Sequence, residues 1–168
     1  FSDHCQAAGR PQDWLSVPLL LTSHTWENGK NERSHQDPSM AEAMLGEPAH
    51  VSRVLFPPDF NSTAAVMEQL YRTHGQIWTL VVPKADVVPD LFTSEEARTL
   101  VRDGGVRLEW AGYQCEQARL ILVAVGAYQL MDVLQASRRL AERPIAHAVV
   151  YLLEPGRFRA PRSIAEQA

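Results

Sequence analysis

A chain of 168 residues is one average domain or two small ones, long enough to bury a core without disulfides or metals. Sixteen basic residues against 20 acidic ones give a formal charge of −4 at pH 7, which argues against a general nucleic-acid or membrane binder. A hydrophobic fraction of 45% with 21% charged residues excludes disorder, collagen and coiled coil as whole-chain readings. Cys5 and Cys115 lie far apart and make neither a disulfide framework nor a metal-ligand pair. A reducing, cytoplasmic compartment suits them best. The chain begins at Phe1 with no basic-then-apolar leader pattern, and its longest apolar run, residues 17–21, is far too short to span a bilayer. The expectation is a processed N-terminus or a part of a longer chain.

In chain order, residues 17–21 read as a buried strand that ends at polar residues. Residues 51–56 read as a second strand, stopped by Pro57 and Pro58. Asn61 is a good helix cap, and Val66, Met67, Leu70 and Tyr71 then put an apolar stripe on one helix face. Gly75 suits the stop, and residues 77–82 form a third strand ended by Pro83. The stretch 83–89, with prolines at both ends, reads as a linker. Thr93 and Glu96 form a capping-box signature for a helix to about residue 102, followed by a turn at Asp103, Gly104 and Gly105. Residues 106–110 suit a short strand and 120–126 a strong buried one. A helix over 128–143 carries Leu130, Val133, Leu134 and Leu140 on one face, and residues 147–153 form the last strand. Trp78 and Trp110 are expected in the core. The alternation predicts an α/β fold with mostly parallel sheets flanked by helices. Ligands in such sheets sit at the carboxyl ends of strands.

The densest polar stretch, residues 22–38, follows the first strand. His24 and His35 titrate near neutrality and suit proton transfer, Asn31 suits hydroxyl recognition, and Lys30 and Arg33 suit a phosphate. The plainer alternative is a solvated loop. A metal site from His24, Glu27, His35 and Asp37 is a weaker rival, because no compact ligand pattern is present. Asp37 and Pro38 read most simply as a helix cap and first-turn proline.

At this stretch the sequence resembles a known family. Leu20-Leu-Thr-Ser-His-Thr-Trp26, then Asn31 and Ser34-His-Gln-Asp-Pro38, are similar to the pyrimidine-domain loop of phosphoketolases, thiamine-diphosphate enzymes related to transketolase. The likeness continues through Arg53-Val-Leu-Phe-Pro-Pro-Asp59 and Val81-Val-Pro-Lys84, and weakens beyond, at Glu95-Glu-Ala97 and Gly105-Val-Arg-Leu-Glu-Trp110. The resemblance implies that residues 1–84 are the C-terminal part of a pyrimidine-binding domain. Residues 85–92 would be a linker, and 93–168 an incomplete transketolase C-terminal-like domain. It implies a proton-transfer role for His35 and substrate binding by Asn31 and Lys84, with Lys30 and His24 as further substrate contacts. Without the family, Lys84 would read as a solvated linker lysine. Lys30, Glu32 and Arg33 depart from the family's His, Gly and Phe and would alter the field of the substrate channel.

The activity implied is cleavage of a ketose phosphate, xylulose 5-phosphate or fructose 6-phosphate, with inorganic phosphate to acetyl phosphate and an aldose phosphate. The implied cofactors are thiamine diphosphate and Mg2+, which would supply the electron sink. The family's Gly-Asp-Gly diphosphate motif is missing from the sequence. The glutamate that activates the cofactor is expected upstream, outside this chain. The chain alone is therefore expected to be inactive, and to work within a homodimer of a complete enzyme or beside a partner chain. The alternatives are a split or degenerate transketolase-like subunit and a non-catalytic phosphosugar-binding module.

Overall fold

Short runs of Val, Leu and Ile, each closed by a proline or a polar residue, set the strands of this chain. The computed structural model describes residues 2–22, 39–84 and 86–161. Strands β1 (Val17–Leu21), β2 (Ser52–Leu55) and β3 (Ile77–Val81) form a three-stranded parallel sheet in the order β1-β3-β2. Val17 and Ser52 both stand opposite Ile77, so the three strands start level. Their carboxyl ends, at Leu21, Leu55 and Val81, share one edge. Short helix α1 (Ser2–Ala7) precedes them, and helices α2 (Ser39–Gly46) and α3 (Phe60–Leu70) lie between them in the chain.

The second sheet also has three strands, in the order β4-β6-β5: β4 (Gly105–Arg107), β5 (Leu120–Ala124) and β6 (His147–Leu152). Helix α4 (Ser94–Asp103) leads into it, and α5 (Ala127–Ala141) crosses from β5 to β6, which pair in parallel. The sheets are mostly parallel, as expected, and strand β4 alone runs antiparallel to its neighbour β6. The reason is local. Gly104 ends α4 at φ 77, a left-handed conformation open to glycine, and turns the chain straight into β4. Its carbonyl then accepts from the N–H groups of Leu153 and Glu154.

A three-stranded sheet cannot bury both faces alone, and here the two sheets share one core. Leu55, Trp78 and Leu80 of the first sheet and Leu70 of α3 pack in one cluster with Val149 and Tyr151 of the second sheet, Leu100 of α4 and Leu130 of α5. A smaller cluster of Ala41, Val54, Phe56 and Val81 lies under α2. Trp78 is fully buried, as the sequence predicts, and donates Nε1–H to Gln76 at 2.8 Å. Trp110 is not in the core. It is half exposed and meets Phe92 edge-on at 6.5 Å, because β4 ends at Arg107 and leaves it in the following turn.

The two sheets are also tied by polar groups. The Tyr151 hydroxyl donates to the Phe56 carbonyl and accepts from the Gly126 N–H at 3.1 Å. Burial pushes this phenol far above its ordinary pKa, so it stays a neutral donor. The Phe56 N–H donates to the Leu153 carbonyl at 2.8 Å. His147, fully buried, bridges Ile145 O through Nδ1 and Ser137 Oγ through Nε2, both at 2.7 Å. A backbone carbonyl can only accept, so Nδ1 carries the proton and Nε2 accepts from the Ser137 hydroxyl. This histidine is structural.

Helix α4 opens with the predicted capping box. Glu96 N–H donates to Thr93 Oγ1, and Glu96 Oε2 accepts from both the Thr93 N–H and its hydroxyl at 2.8 Å. The Thr93 N–H, and then its hydroxyl, hold the Glu96 carboxyl below the usual glutamate value. A depressed folded value means that the contribution is full above the unfolded value and is lost as pH falls through the folded one. Glu96→Ala should therefore be less stable than the native chain at pH 7, with the gap narrowing below about pH 4. Urea unfolding at both pH values measures it; a gap unchanged at pH 3 would refute this account of the cap.

Candidate functional site

Parallel strands that start level deliver their following loops to one edge, and a cleft of about 390 Å3 lies there. Leu20 of β1, Pro57, Pro58 and Asp59 after β2, Phe60 and Thr63 of α3, and Val82, Pro83, Lys84, Asp86, Val87 and Pro89 after β3 line it. The prolines fix this edge: Pro57 and Pro58 are buried and have no N–H to leave unsatisfied. They carry the chain extended to Asp59, at φ −150 and ψ −179.

Asp59, not Asn61, caps α3. Its Oδ1 accepts from the Ser62 N–H and its Oδ2 from the Phe92 N–H, both at 2.8 Å. Asn61 lies inside the first turn and donates instead to the Phe92 carbonyl at 2.8 Å. The residues read as a linker are thus held at their end by α3: Phe92 is buried, and both its backbone groups are bonded. Both oxygens of the buried Asp59 carboxylate are occupied by N–H donors, so it is an anchor of the cleft and not a base for catalysis.

The exposed charges at the cleft are Lys84 and Asp86, set against the apolar wall of Leu20 and Phe60. Phe60, at 71% exposed, is an unusual ring to leave in solvent, and it stands at the mouth. A lysine beside an apolar wall can hold a phosphate whose carbon chain lies along the wall. Among the described lining residues no free carboxylate–imidazole pair offers proton transfer. Of the five predicted site residues, the structure places Lys84 at the cleft. His24, Lys30, Asn31 and His35 lie outside the described residues, as do Glu27, Asp37 and Pro38. Among the described residues no group of three or more His, Cys, Asp or Glu side chains could hold a metal ion. No helix among them is long and apolar enough to cross a membrane.

Leu20, Phe60 and Asp86 were not singled out from the sequence as site residues. The available signal was the dipeptide Pro57-Pro58 directly after a strand, which marks a carboxyl edge as well as a stop.

The fold is similar to part of transketolase: the Leishmania mexicana transketolase matches with a TM-score of 0.66 at 20% identity, over 87% of this chain and 20% of that one. A Pichia stipitis transketolase, solved in complex with sedoheptulose 7-phosphate, matches with a TM-score of 0.63 at 22% identity, over 84% of this chain and 20% of that one. The sequence is more specific. Residues 1–73 match the family of D-xylulose 5-phosphate/D-fructose 6-phosphate phosphoketolases. A probable phosphoketolase of Pseudomonas putida is 31% identical over 76% of this chain and 16% of its own length. One from Streptomyces avermitilis is 33% identical over 80% of this chain and 17% of its own length. The chain is thus a homologue of phosphoketolases over most of its own length, and it spans about a sixth of the length of these curated relatives.

Replacing the Asp59 carboxylate should loosen the cleft from below. Asp59→Ala strands two buried N–H donors, at Ser62 and Phe92, and should cost about 2–4 kcal/mol in urea unfolding. A loss under about 0.5 kcal/mol, the scale of an ordinary surface substitution, would remove Asp59 as the anchor.

Proposed function

We propose that this chain forms part of a phosphoketolase that cleaves xylulose 5-phosphate or fructose 6-phosphate with inorganic phosphate to acetyl phosphate and an aldose phosphate. The observation that carries the reading is the cleft at the shared carboxyl edge. It holds Lys84 and lies at the end of the sheet from which β1 feeds the family's histidine-bearing segment. On this reading Lys84 and Asn31 hold the sugar phosphate, with Lys30 and His24 as further contacts. His35 moves a proton at the sugar hydroxyl and orients the substrate. Residues 1–84 belong to the pyrimidine domain, 85–92 to a linker and 93–168 to the C-terminal domain.

The enzyme's resident cofactor would be thiamine diphosphate with Mg2+, which supplies an electron sink when bound. Among the described residues no group of three or more His, Cys, Asp or Glu side chains could hold the metal, and the sequence has no Gly-Asp-Gly motif. That end of the cofactor is therefore assigned to polypeptide outside this sequence, in the same enzyme or a partner chain. A cytoplasmic homodimer is the assembly proposed.

A denaturing intact-mass spectrum of the native protein comes first, because it decides whether the missing region is covalent or a partner. Acetyl phosphate formed from xylulose 5-phosphate and phosphate is then assayed in that complete assembly. His35→Ala should lower turnover by about a hundredfold or more, the scale of a positioned acid–base group. An unchanged rate would remove His35 from the chemistry. Lys84→Ala should raise KM for the phosphorylated ketose and leave an unphosphorylated analogue nearly unaffected. Equal losses with both sugars would place Lys84 elsewhere than on the phosphate.

A further inference from the structure

A second cleft, of about 330 Å3, opens beside α3 and α4, near the opposite end of α3 from Phe60. Five arginines line it, Arg53, Arg72, Arg98, Arg102 and Arg157, with Glu68 as the lining carboxylate. Concentrating like charge in a concave site raises self-repulsion, so the count of counter-charges matters. At the floor, Arg53 donates Nε–H and Nη2–H to the two oxygens of Glu154 at 2.8 and 2.6 Å, and Arg157 forms an ion pair with the same carboxylate, its Nε at 2.7 Å. At the rim, Arg72 and Arg98 share Glu68, at 2.6 and 3.7 Å, and Arg102 pairs with Asp103 at 2.7 Å. Two guanidiniums per carboxylate occur twice, at floor and rim. Five guanidiniums against three carboxylates leave a formal charge of +2 here, in a chain whose total is −4.

The floor cations are also rigid. The Arg53 side chain is only 10% exposed, and its guanidinium stacks 3.8 Å from the centre of the Trp78 ring. Arg157 is held a second time, donating Nη1–H to the Arg102 carbonyl at 2.6 Å. Its stem lies across Gly104, where a Cβ would sit 2.8 Å from Arg157 Cδ. Among the described residues neither Arg53 Nη1 nor Arg157 Nη2 has a hydrogen-bond partner. Fixed guanidiniums with donors to spare bind an anion with little ordering cost. Arginines at the last turn of a helix also offset its dipole, which accounts for Arg102. It does not account for Arg53 on β2 or Arg157 in the turn at Pro155–Phe158, the two that are locked.

We propose that this cleft is a binding site for a phosphoryl dianion, carried by inorganic phosphate or a small phosphate monoester, separate from the cleft at Lys84. A phosphate monoester carries about −1.5 to −2 at neutral pH, which matches the local excess, and its oxygens accept paired guanidinium hydrogen bonds. The volume sits at the small end of ligand sites.

Isothermal titration of the chain with inorganic phosphate and with ribose 5-phosphate tests this. The variants are Arg98→Gln with Arg102→Gln, whose side chains are exposed and do not hold the sheets together. Arg72→Gln is the second variant, used if the double one melts early. Binding weakened about tenfold or more by either supports the site, since each loses charge-assisted bonds worth about that factor. Equal affinity for the two probes means that the phosphoryl group alone is read; tighter binding of the sugar phosphate means that its body is seated as well. No binding of either probe at 10 mM overturns the proposal. So does binding that survives the arginine changes, or binding that is abolished by Lys84→Ala, since the anion then sits at the strand edge.

Discussion

Two sheets of three strands each must share one core, and the polar backbone where they meet must be satisfied without water. The rest of the structure depends on that seam. It runs along the carboxyl ends of β2 and β6, where Phe56 donates to Leu153 and accepts from the Tyr151 hydroxyl. Two buried carboxylates, Asp59 and Glu154, complete it. A buried carboxylate is tolerable only when paired or fully hydrogen-bonded. Asp59 meets that demand with two N–H groups from different segments, Glu154 with two guanidiniums.

The seam explains where both clefts lie. Asp59 binds the start of α3 to Phe92, two residues before α4, so the α3 N-terminus stays at the carboxyl edge of the first sheet. Glu154 brings Arg53 of the first sheet and Arg157 beyond β6 to one point, at the floor of the arginine cleft. One helix, α3, thus contributes Phe60 and Thr63 to one cleft and Glu68 to the other. In α/β sheets ligands sit at the carboxyl ends of strands, which is the edge where the Lys84 cleft lies.

The strands and helices were largely legible because their signals are local. Apolar runs stopped by proline, the Thr93–Glu96 box and the apolar stripes of α3 and α5 each act within a few residues. Strands β1 and β5 were expected to be buried but lie at the edges of their sheets and expose Val17, Leu20, Ile121 and Val123. The other misread positions were those decided by distant partners. Asn61 is as good a cap as Asp59 by residue type, but Asp59 also reaches Phe92, 33 residues along the chain. Trp110 looked like core because it follows Val106 and Leu108, yet the strand stops short of it. The antiparallel direction of β4 depended on how Gly104 turns against β6, a non-local pairing. At the candidate site the sequence singled out Lys84, but not the apolar wall of Leu20 and Phe60, which exists only once β1 and α3 are neighbours.

By itself the sequence determined the α/β alternation, the helix caps that rest on nearest neighbours, and the family, carried by side chains at fixed spacings. Tertiary structure alone decided the shared core, the seam and the two clefts. Arg53 and Glu154 stand 101 residues apart, and no periodicity or motif couples them. What couples them is burial: a carboxylate removed from water must find cations, and only the folded chain shows which ones are within reach.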